Sequence, residues 1–321
     1  MNPMVLVTDG ALERKLQHHL ERRELPDAFL YTGRHGTGNW LRLESSRGFP
    51  VAATLTALMQ EQAGAVAWRA SHCRDVVSIG AGDARKERLL LEELLRFTRP
   101  ACHVVDVSRP MVEEALRNLA PLGLAPRGIV AFCENLDVLA PAWARPVLLC
   151  LLGNNFCNYE PADLLPLVAA NLGPADLFLF DGSLRPDEEQ DPGRWQQDTE
   201  ASYNSPENVR FNLAPLVARG ADPESCRFEL RLITVDTPWG PICRTHKHIH
   251  VTKPTAVHCD GAAVAFRAGD VIEMGFTYKY RFSQIAAVLE HYGFGVVESW
   301  RDEAGGNALF LACHRAVEAQ R

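Results

Sequence analysis

From about residue 75 the chain alternates short apolar runs with amphipathic stretches. "DVVSIGAG" (75–82), "CHVVDVS" (102–108), "GIVAFCENL" (128–136), "PVLLCLLGNN" (146–155) and "DLFLFDGS" (176–183) read as strands. "RKERLLLEELLRF" (85–97), "PMVEEALRNLAPL" (110–122) and "EPADLLPLVAANLG" (160–173) carry their apolar residues at helical spacing. Unbroken Val, Ile and Leu runs mean strands covered on both faces, and a helix of about ten to fifteen residues between two strands makes the parallel crossover. The pattern predicts an α/β fold built on a doubly wound, Rossmann-like sheet.

The rhythm stops after "DGSL". Residues 186–215 are polar, and the stretch from "SCRFELRLITV" to "AGDVIEMG" (225–275) reads as antiparallel strands joined by Pro/Gly turns, with alternation in "RFELRLITV" and "THKHIHVT". A helix, "RFSQIAAVLEHYGF", and a closing hairpin with Gly-Gly-Asn at its tip then return the chain to the sheet as an antiparallel pair. The first 55 residues lack the strand–helix alternation. The expected division is therefore 56–185 with 281–321 in one domain, and 1–55 with 186–280 in a second, α+β domain. There is no internal repeat and no low-complexity tract.

Composition adds exclusions. Hydrophobic residues make up 47% and charged residues 23% of the 321, the balance of an ordinary globular protein. No apolar run is long enough to span a membrane and no signal-like segment opens the chain, so a cytoplasmic, membrane-free protein is expected. A net charge of -7 with scattered arginines argues against nucleic acid. The nine cysteines form no Cys-x-x-Cys pair and read as small buried hydrophobes of a reducing compartment.

The chemistry starts at "VVSIGAGDARKERLLLEELL". In a doubly wound sheet ligands bind beyond the carboxyl ends of the strands, where glycines let backbone approach them, and Gly80 and Gly82 stand there. A dinucleotide fingerprint would carry a third glycine where this chain has Asp83-Ala84-Arg85, which disfavours NAD and FAD. Asp106 closes the next strand 24 residues after Gly82, near the ~20 expected of an acid that grips ribose hydroxyls. The fourth strand ends in Gly153-Asn154-Asn155, followed by Asn158 and Tyr159, neutral hydrogen-bonding groups. No Ser-His-Asp elbow, P-loop or His-Glu-x-x-His motif is present.

"IGAGDARKERLLLEEL", "VVDVS", "LLGNNFCNYEP", "RFNLAPL" and "FRAGDVIEMGFTYKYRF" resemble the motifs of the histidine-specific S-adenosylmethionine (SAM) methyltransferases, and the similarity runs from "LPDAFLYTG" at residues 25–33 to the closing hairpin. That resemblance implies a SAM-binding α/β domain and a second domain that binds the acceptor. It implies that Gly80 and Gly82 pass close to SAM, that Lys86 pairs with its carboxylate, and that Asp106 takes the ribose. Cys133 and Glu134 would complete the nucleoside side, and Gly153 and Asn154 would meet the cofactor from the fourth strand. Tyr31, Asn158 and Tyr203 match positions that hold the α-amine and carboxylate of an amino acid; Asn158 and Tyr203 are expected to orient it for catalysis, with Tyr31 closing over it. The alternative for Lys86 is a solvated residue on the first helix.

One departure bears on the acceptor. Where the family has an acid and a serine to grip an imidazole, this chain reads Met274-Gly275-Phe276-Thr277. Losing a charged hydrogen-bond partner costs about 1.5 to 3 kcal/mol, so Gly275 argues against histidine and for a bulkier or less polar amino acid or amine entering an opened pocket beside Gly275 and Thr277. Asp181-Gly182-Ser183 departs mildly at the fifth strand end. The expected reaction is N-methylation of a small-molecule amine; histidine Nα-methylation, a noncatalytic SAM-binding scaffold and a nicotinamide-dependent oxidoreductase are the alternatives, and the oligomeric state stays open. No metal is expected, the alternating His246, His248 and His250 reading as a polar strand face. Trp300 and Phe310 read as core, and Tyr278 and Tyr280 equally as packing residues or pocket walls.

Overall fold

The computed structural model describes residues 3–46, 48–186 and 192–315; residues 187–191 and 316–321, at the start of the expected insertion and the end of the closing hairpin, lie outside the described residues. In chain order the strands are β1 (Met4–Val5), β2 (Glu24–Leu25), β3 (Asp75–Ile79), β4 (Ala101–Asp106), β5 (Arg127–Val130), β6 (Val147–Leu151) and β7 (Leu177–Ser183). There follow β8 (Cys226–Thr237), β9 (Gly240–Val251), β10 (Thr255–Cys259), β11 (Ala262–Phe266), β12 (Val271–Met274), β13 (Tyr278–Lys279), β14 (Phe294–Arg301) and β15 (Asn307–His314).

The larger sheet runs β1-β5-β4-β3-β6-β7-β15-β14. β1 and β3 to β7 pair parallel, and the closing hairpin adds β15 antiparallel to β7 with β14 outside it. This is the doubly wound α/β sheet with its terminal antiparallel pair. Every residue of β3, β6 and β7 is buried, as their continuous apolar runs require. Phe156 and Phe310 stack on Phe180 in the core on one face, with Phe178 tilted against it, and Tyr278 and Tyr280 are buried beside them as packing residues. Trp300 is only partly buried, against the core of the other face.

Strand order reverses at β3, where the chain first moves outward to β4 and β5 and then returns to β6. The crevice beyond the carboxyl ends of β3 and β6 is therefore the topological switch point, where open α/β sheets bind ligands. At the opposite end, His103 Nε2 lies 3.0 Å from Asp75 Oδ2, and Asp176 takes the amides of Val147 and Gly173. These buried acids pin strand ends away from the crevice.

The second sheet runs β13-β9-β12-β2, with β8 paired along the whole of β9's other edge. β8 and β9 form a long hairpin whose Phe228, Leu230, Ile249 and Val251 pack with Leu12, Leu16 and Leu20 of the helix Asp9–Glu21 and with Phe29 and Phe211. One part of the first 55 residues does not lie with this sheet: β1 extends the larger sheet beyond β5. The helix Val51–Arg69 contributes Leu58, Met59, Ala63 and Val66 to the larger sheet's core, its alanines allowing close approach. No described helix is long and apolar enough to cross a membrane.

Candidate active site

A cavity of about 500 Å³ opens at the switch point, and a smaller chamber of about 70 Å³ adjoins it, the two sharing Asp27, Tyr31, Lys86, Gly153 and Asn158 as walls. The larger volume lies within the roughly 300–1,000 Å³ of small-molecule sites.

The β3 loop forms one wall. Gly80, Gly82 and Ala84 all have positive φ, at 62°, 56° and 58°. The turn thus delivers the chain from the strand into the helix Arg85–Leu94 through five residues. A Cβ on Gly80 would stand 2.7 Å from Asn155 Nδ2, which donates to the carbonyls of Gly80 (3.0 Å) and Leu152 (2.7 Å), whereas Gly82 faces open space. Asn155 therefore clips the first loop to the fourth. Gly80→Ala breaks that clip and strains the backbone, so a loss of about 1–3 kcal/mol in unfolding free energy is expected, measured by urea denaturation.

Asp106 ends β4 with its carboxylate accepting from the amides of Gly82 (3.1 Å) and Ser108 (2.8 Å). Burial pushes its pKa up to about 6, against those amides, which lower it. Lys86 is only 9% exposed, which settles the alternative of a solvated lysine. Burial works against its charge, but Asp181, Glu87, Glu44 and Asp83 around it outweigh that and raise its pKa. Glu87, deeper, is pushed up to about 7 by burial while accepting from the Ser78 hydroxyl at 2.6 Å. Glu44 is raised by burial too, and its Oε2 is buried without a hydrogen-bond partner. Lys86 and Arg85 thus face several acids around the cavity.

Gly80, Gly82, Lys86, Asp106, Cys133, Glu134 and Gly153 all line the larger cavity. Burial pushes the Cys133 thiol up to about 12, so it is a wall and not a nucleophile. Asn154 departs from expectation. It lines only the smaller chamber, its amide N–H donates to Asp181 Oδ1 (2.6 Å) and its Oδ1 accepts from the Ser183 amide (2.7 Å), so it ties the fourth loop to β7 while Asn155 faces the larger cavity.

Tyr31 and Asn158 border both chambers, Gly275 the larger, and Tyr203 and Thr277 the smaller. The Tyr31 ring packs edge-on against Trp40 (5.2 Å) and Phe211 (5.3 Å), and burial, then Asp27 and Asp106, raises its phenol pKa far above the ordinary value. The Thr277 hydroxyl donates to Asn158 Oδ1 at 2.8 Å. Tyr203 lies under the Lys279 ammonium, 5.1 Å from the ring centroid.

Similarity places the chain in a family. Residues 11–314 match the profile described as histidine-specific methyltransferase, SAM-dependent. The chain belongs to that family. It is a SAM-dependent methyltransferase, and the oxidoreductase and scaffold alternatives fall away. Comparison with curated proteins finds no match. Among solved structures it is similar to the mitomycin 7-O-methyltransferase MmcR (15% identity, TM-score 0.43, covering 96% of this chain and 69% of that one). It is also similar to the 1,6-didemethyltoxoflavin-N1-methyltransferase of Burkholderia thailandensis (15% identity, TM-score 0.42, covering 80% and 79%).

The methyltransferase's larger cavity suits SAM. It offers open space at Gly82, a buried acid at the β4 end, the partly buried ring of Phe132 and a buried cation at Lys86. Beside Gly275, however, the expected open pocket is absent. A Cβ there would lie 2.5 Å from the carboxyl carbon of Asp27, which fills the space. Asp27 comes from the 3-10 turn Asp27–Leu30, and Lys247 of β9 holds it at 2.5 Å.

The enzyme's histidine strand also differs in detail from expectation. Ligand atoms of His246, His248 and Glu273 lie within 4.8 Å of one another on the second sheet, because register sets Glu273 beside His248. This spacing is open to a shared ion, but none of the three lines either chamber. His250 instead pairs with Glu229 at 3.5 Å.

Proposed function

We propose that this enzyme methylates the amine nitrogen of a small amino acid or amino-acid-like metabolite. Residues 56–185 and 281–321 form the SAM-binding unit in this reading, and 1–55 with 186–280 supply the acceptor's walls together with Asn158 of the first unit. The observation that carries it is the pair of joined chambers: the larger fits a nucleoside with a carboxylate tail, and the smaller is walled by Asn158, Tyr203, Asn208, Asn212 and Thr277, which suit an amino-acid head.

Asp106 would take the ribose hydroxyls, Lys86 the methionyl carboxylate, and Gly80, Gly82 and Gly153 would give the backbone its close approach. Cys133 and Glu134 would wall the nucleoside. When bound, SAM supplies a methyl on a sulfonium, and in-line displacement moves positive charge to the attacking nitrogen. Alignment is then the enzyme's main contribution, through effective molarity. Thr277 occupies Asn158 Oδ1, leaving the amide NH2 as the donor toward the acceptor's carboxylate. The raised pKa keeps the Tyr31 phenol protonated, so it donates or relays a proton and does not act as the resting base. Tyr203 closes the far wall. The Asp27 carboxylate beside Gly275 supports a second reading, histidine Nα-methylation, since an acid stands where one was missing in sequence.

Asn158→Ala should lower kcat/KM for the acceptor by about ten- to a hundred-fold while SAM affinity changes less than about twofold. Labelled-SAM kinetics with calorimetric SAM binding checks this. An unchanged rate would reject the assignment.

A further inference from the structure

Asp27 has no strand or helix periodicity to explain its place, yet three features fix its carboxylate. Glycine at 275 leaves the carboxylate its seat, since a Cβ there would stand 2.5 Å from Asp27 Cγ and 2.6 Å from Oδ1. Lys247, whose side chain is 8% exposed, reaches Oδ2 at 2.5 Å from across the second sheet. Oδ1 is buried and has no hydrogen-bond partner. A carboxylate held with one oxygen unpaired is destabilising unless something else completes it.

The pair is not sealed away. The Asp27 side chain keeps 19% exposure, and Asp27 lines both chambers while Lys247 lines the smaller one. Tyr31, Trp40, Asn158 and Tyr203 around them are neutral, and the other charged walls of the smaller chamber are Lys86 and Glu44, so Asp27 is one of the two carboxylates that an acceptor meets there.

Resting on the proposed function, we infer that Asp27 is the residue that selects the acceptor: seated where Gly275 leaves room and anchored by Lys247, its carboxylate receives a nitrogen-bound hydrogen from the acceptor's far end. The acceptor class is then an amino acid whose side chain carries an N–H donor, such as an imidazole, ammonium or guanidinium, in place of the apolar side chain that an empty Gly275 pocket would admit. Lys247 is a positioning residue, which keeps the carboxylate turned toward the chamber.

The test is calorimetric binding of L-histidine, L-lysine, L-arginine, L-leucine and L-phenylalanine to the full chain saturated with S-adenosylhomocysteine. Binding is thereby read without turnover. At least one of the three nitrogen-bearing amino acids should bind about ten- to a hundred-fold more tightly than leucine and phenylalanine, the factor for a charged hydrogen bond. Asp27→Asn should abolish that preference while leaving S-adenosylhomocysteine affinity unchanged. Gly275→Ala should abolish it with Asp27 chemically intact, because the new methyl displaces the carboxylate; this covers an Asp27 variant that fails to fold. The exchange Asp27→Ala with Gly275→Glu should restore part of the preference by bringing the acid from the other side. Equal binding of the apolar amino acids, no binding of any, or a preference that survives both single substitutions would overturn the inference. Failure of S-adenosylhomocysteine itself to bind would instead overturn the proposed function, and the inference with it.

Discussion

Replacing Lys86 with methionine is expected to weaken SAM binding by about a hundredfold and to lower stability by about 3 kcal/mol. Both effects have one origin. Lys86 is buried amid Asp181, Glu87, Glu44 and Asp83, and its charge is retained because those acids outweigh the cost of burying it. Methionine keeps the length and the apolar stem but leaves the acids facing one another and any bound carboxylate without a partner. The pH dependence separates this account from a simple packing defect. Glu87 already titrates near 7 with Lys86 beside it, and removing the cation raises that value further, so acidification from pH 8 to 6 protonates Glu87 and relieves the repulsion. The stability deficit of Lys86→Met, read by urea denaturation, should therefore shrink as pH falls. A deficit independent of pH would contradict the electrostatic explanation.

SAM affinity itself should fall as pH drops below about 6, by about tenfold for each unit, and Asp106→Asn should remove that dependence. In the proposed pose the carboxylate form would accept the ribose hydroxyls, and the protonated form would surrender one acceptor. Asp106 holds its proton up to about 6 because burial disfavours the charge. Its contribution to folding has the opposite sign. The native carboxyl, raised from 3.8 to about 6, binds a proton where the unfolded chain does not, so this group favours folding increasingly as pH falls from above 6 toward 4. A rise of this size corresponds to about 3 kcal/mol. Asp106→Asn is accordingly expected to bind SAM about ten- to a hundred-fold more weakly at pH 8 while being no less stable there. Calorimetric titration at pH 5 and pH 8, with melting curves at both, checks the two signs together. A variant that retained the wild-type pH profile would assign the titration to another group.

The cofactor half was legible because it is local. Gly80, Gly82, Lys86 and Asp106 fall on one strand–helix–strand unit, where the apolar run, the turn glycines and the spacing to the next strand end all point to one crevice. The acceptor half was legible only in part, because it is assembled from distant segments. Asp27 is a lone acid after a proline in a short 3-10 turn, and nothing in its surroundings marks it. Lys247 lies in "THKHIHV", where polar residues on both sides mask the alternation. Thr245, Lys247, Ile249 and Val251 are buried while His246, His248 and His250 are partly exposed, and that inward lysine was the available signal. Asn154 and Asn155 were separable only by backbone geometry: φ of 63° at Asn154 turns one amide to β7 and leaves the next at the cavity. The departure of Gly275 was visible in sequence, but its meaning depended on a residue almost 250 positions away.

A crystal structure of the enzyme grown with S-adenosylhomocysteine tests the central claim most directly. The account predicts the adenosine lodged between the Gly80–Gly82 turn and Asp106, the carboxylate at Lys86, and the sulfur turned toward the chamber bounded by Tyr31, Asn158 and Tyr203. A ligand seated elsewhere, or one whose sulfur faces away from that chamber, would contradict it.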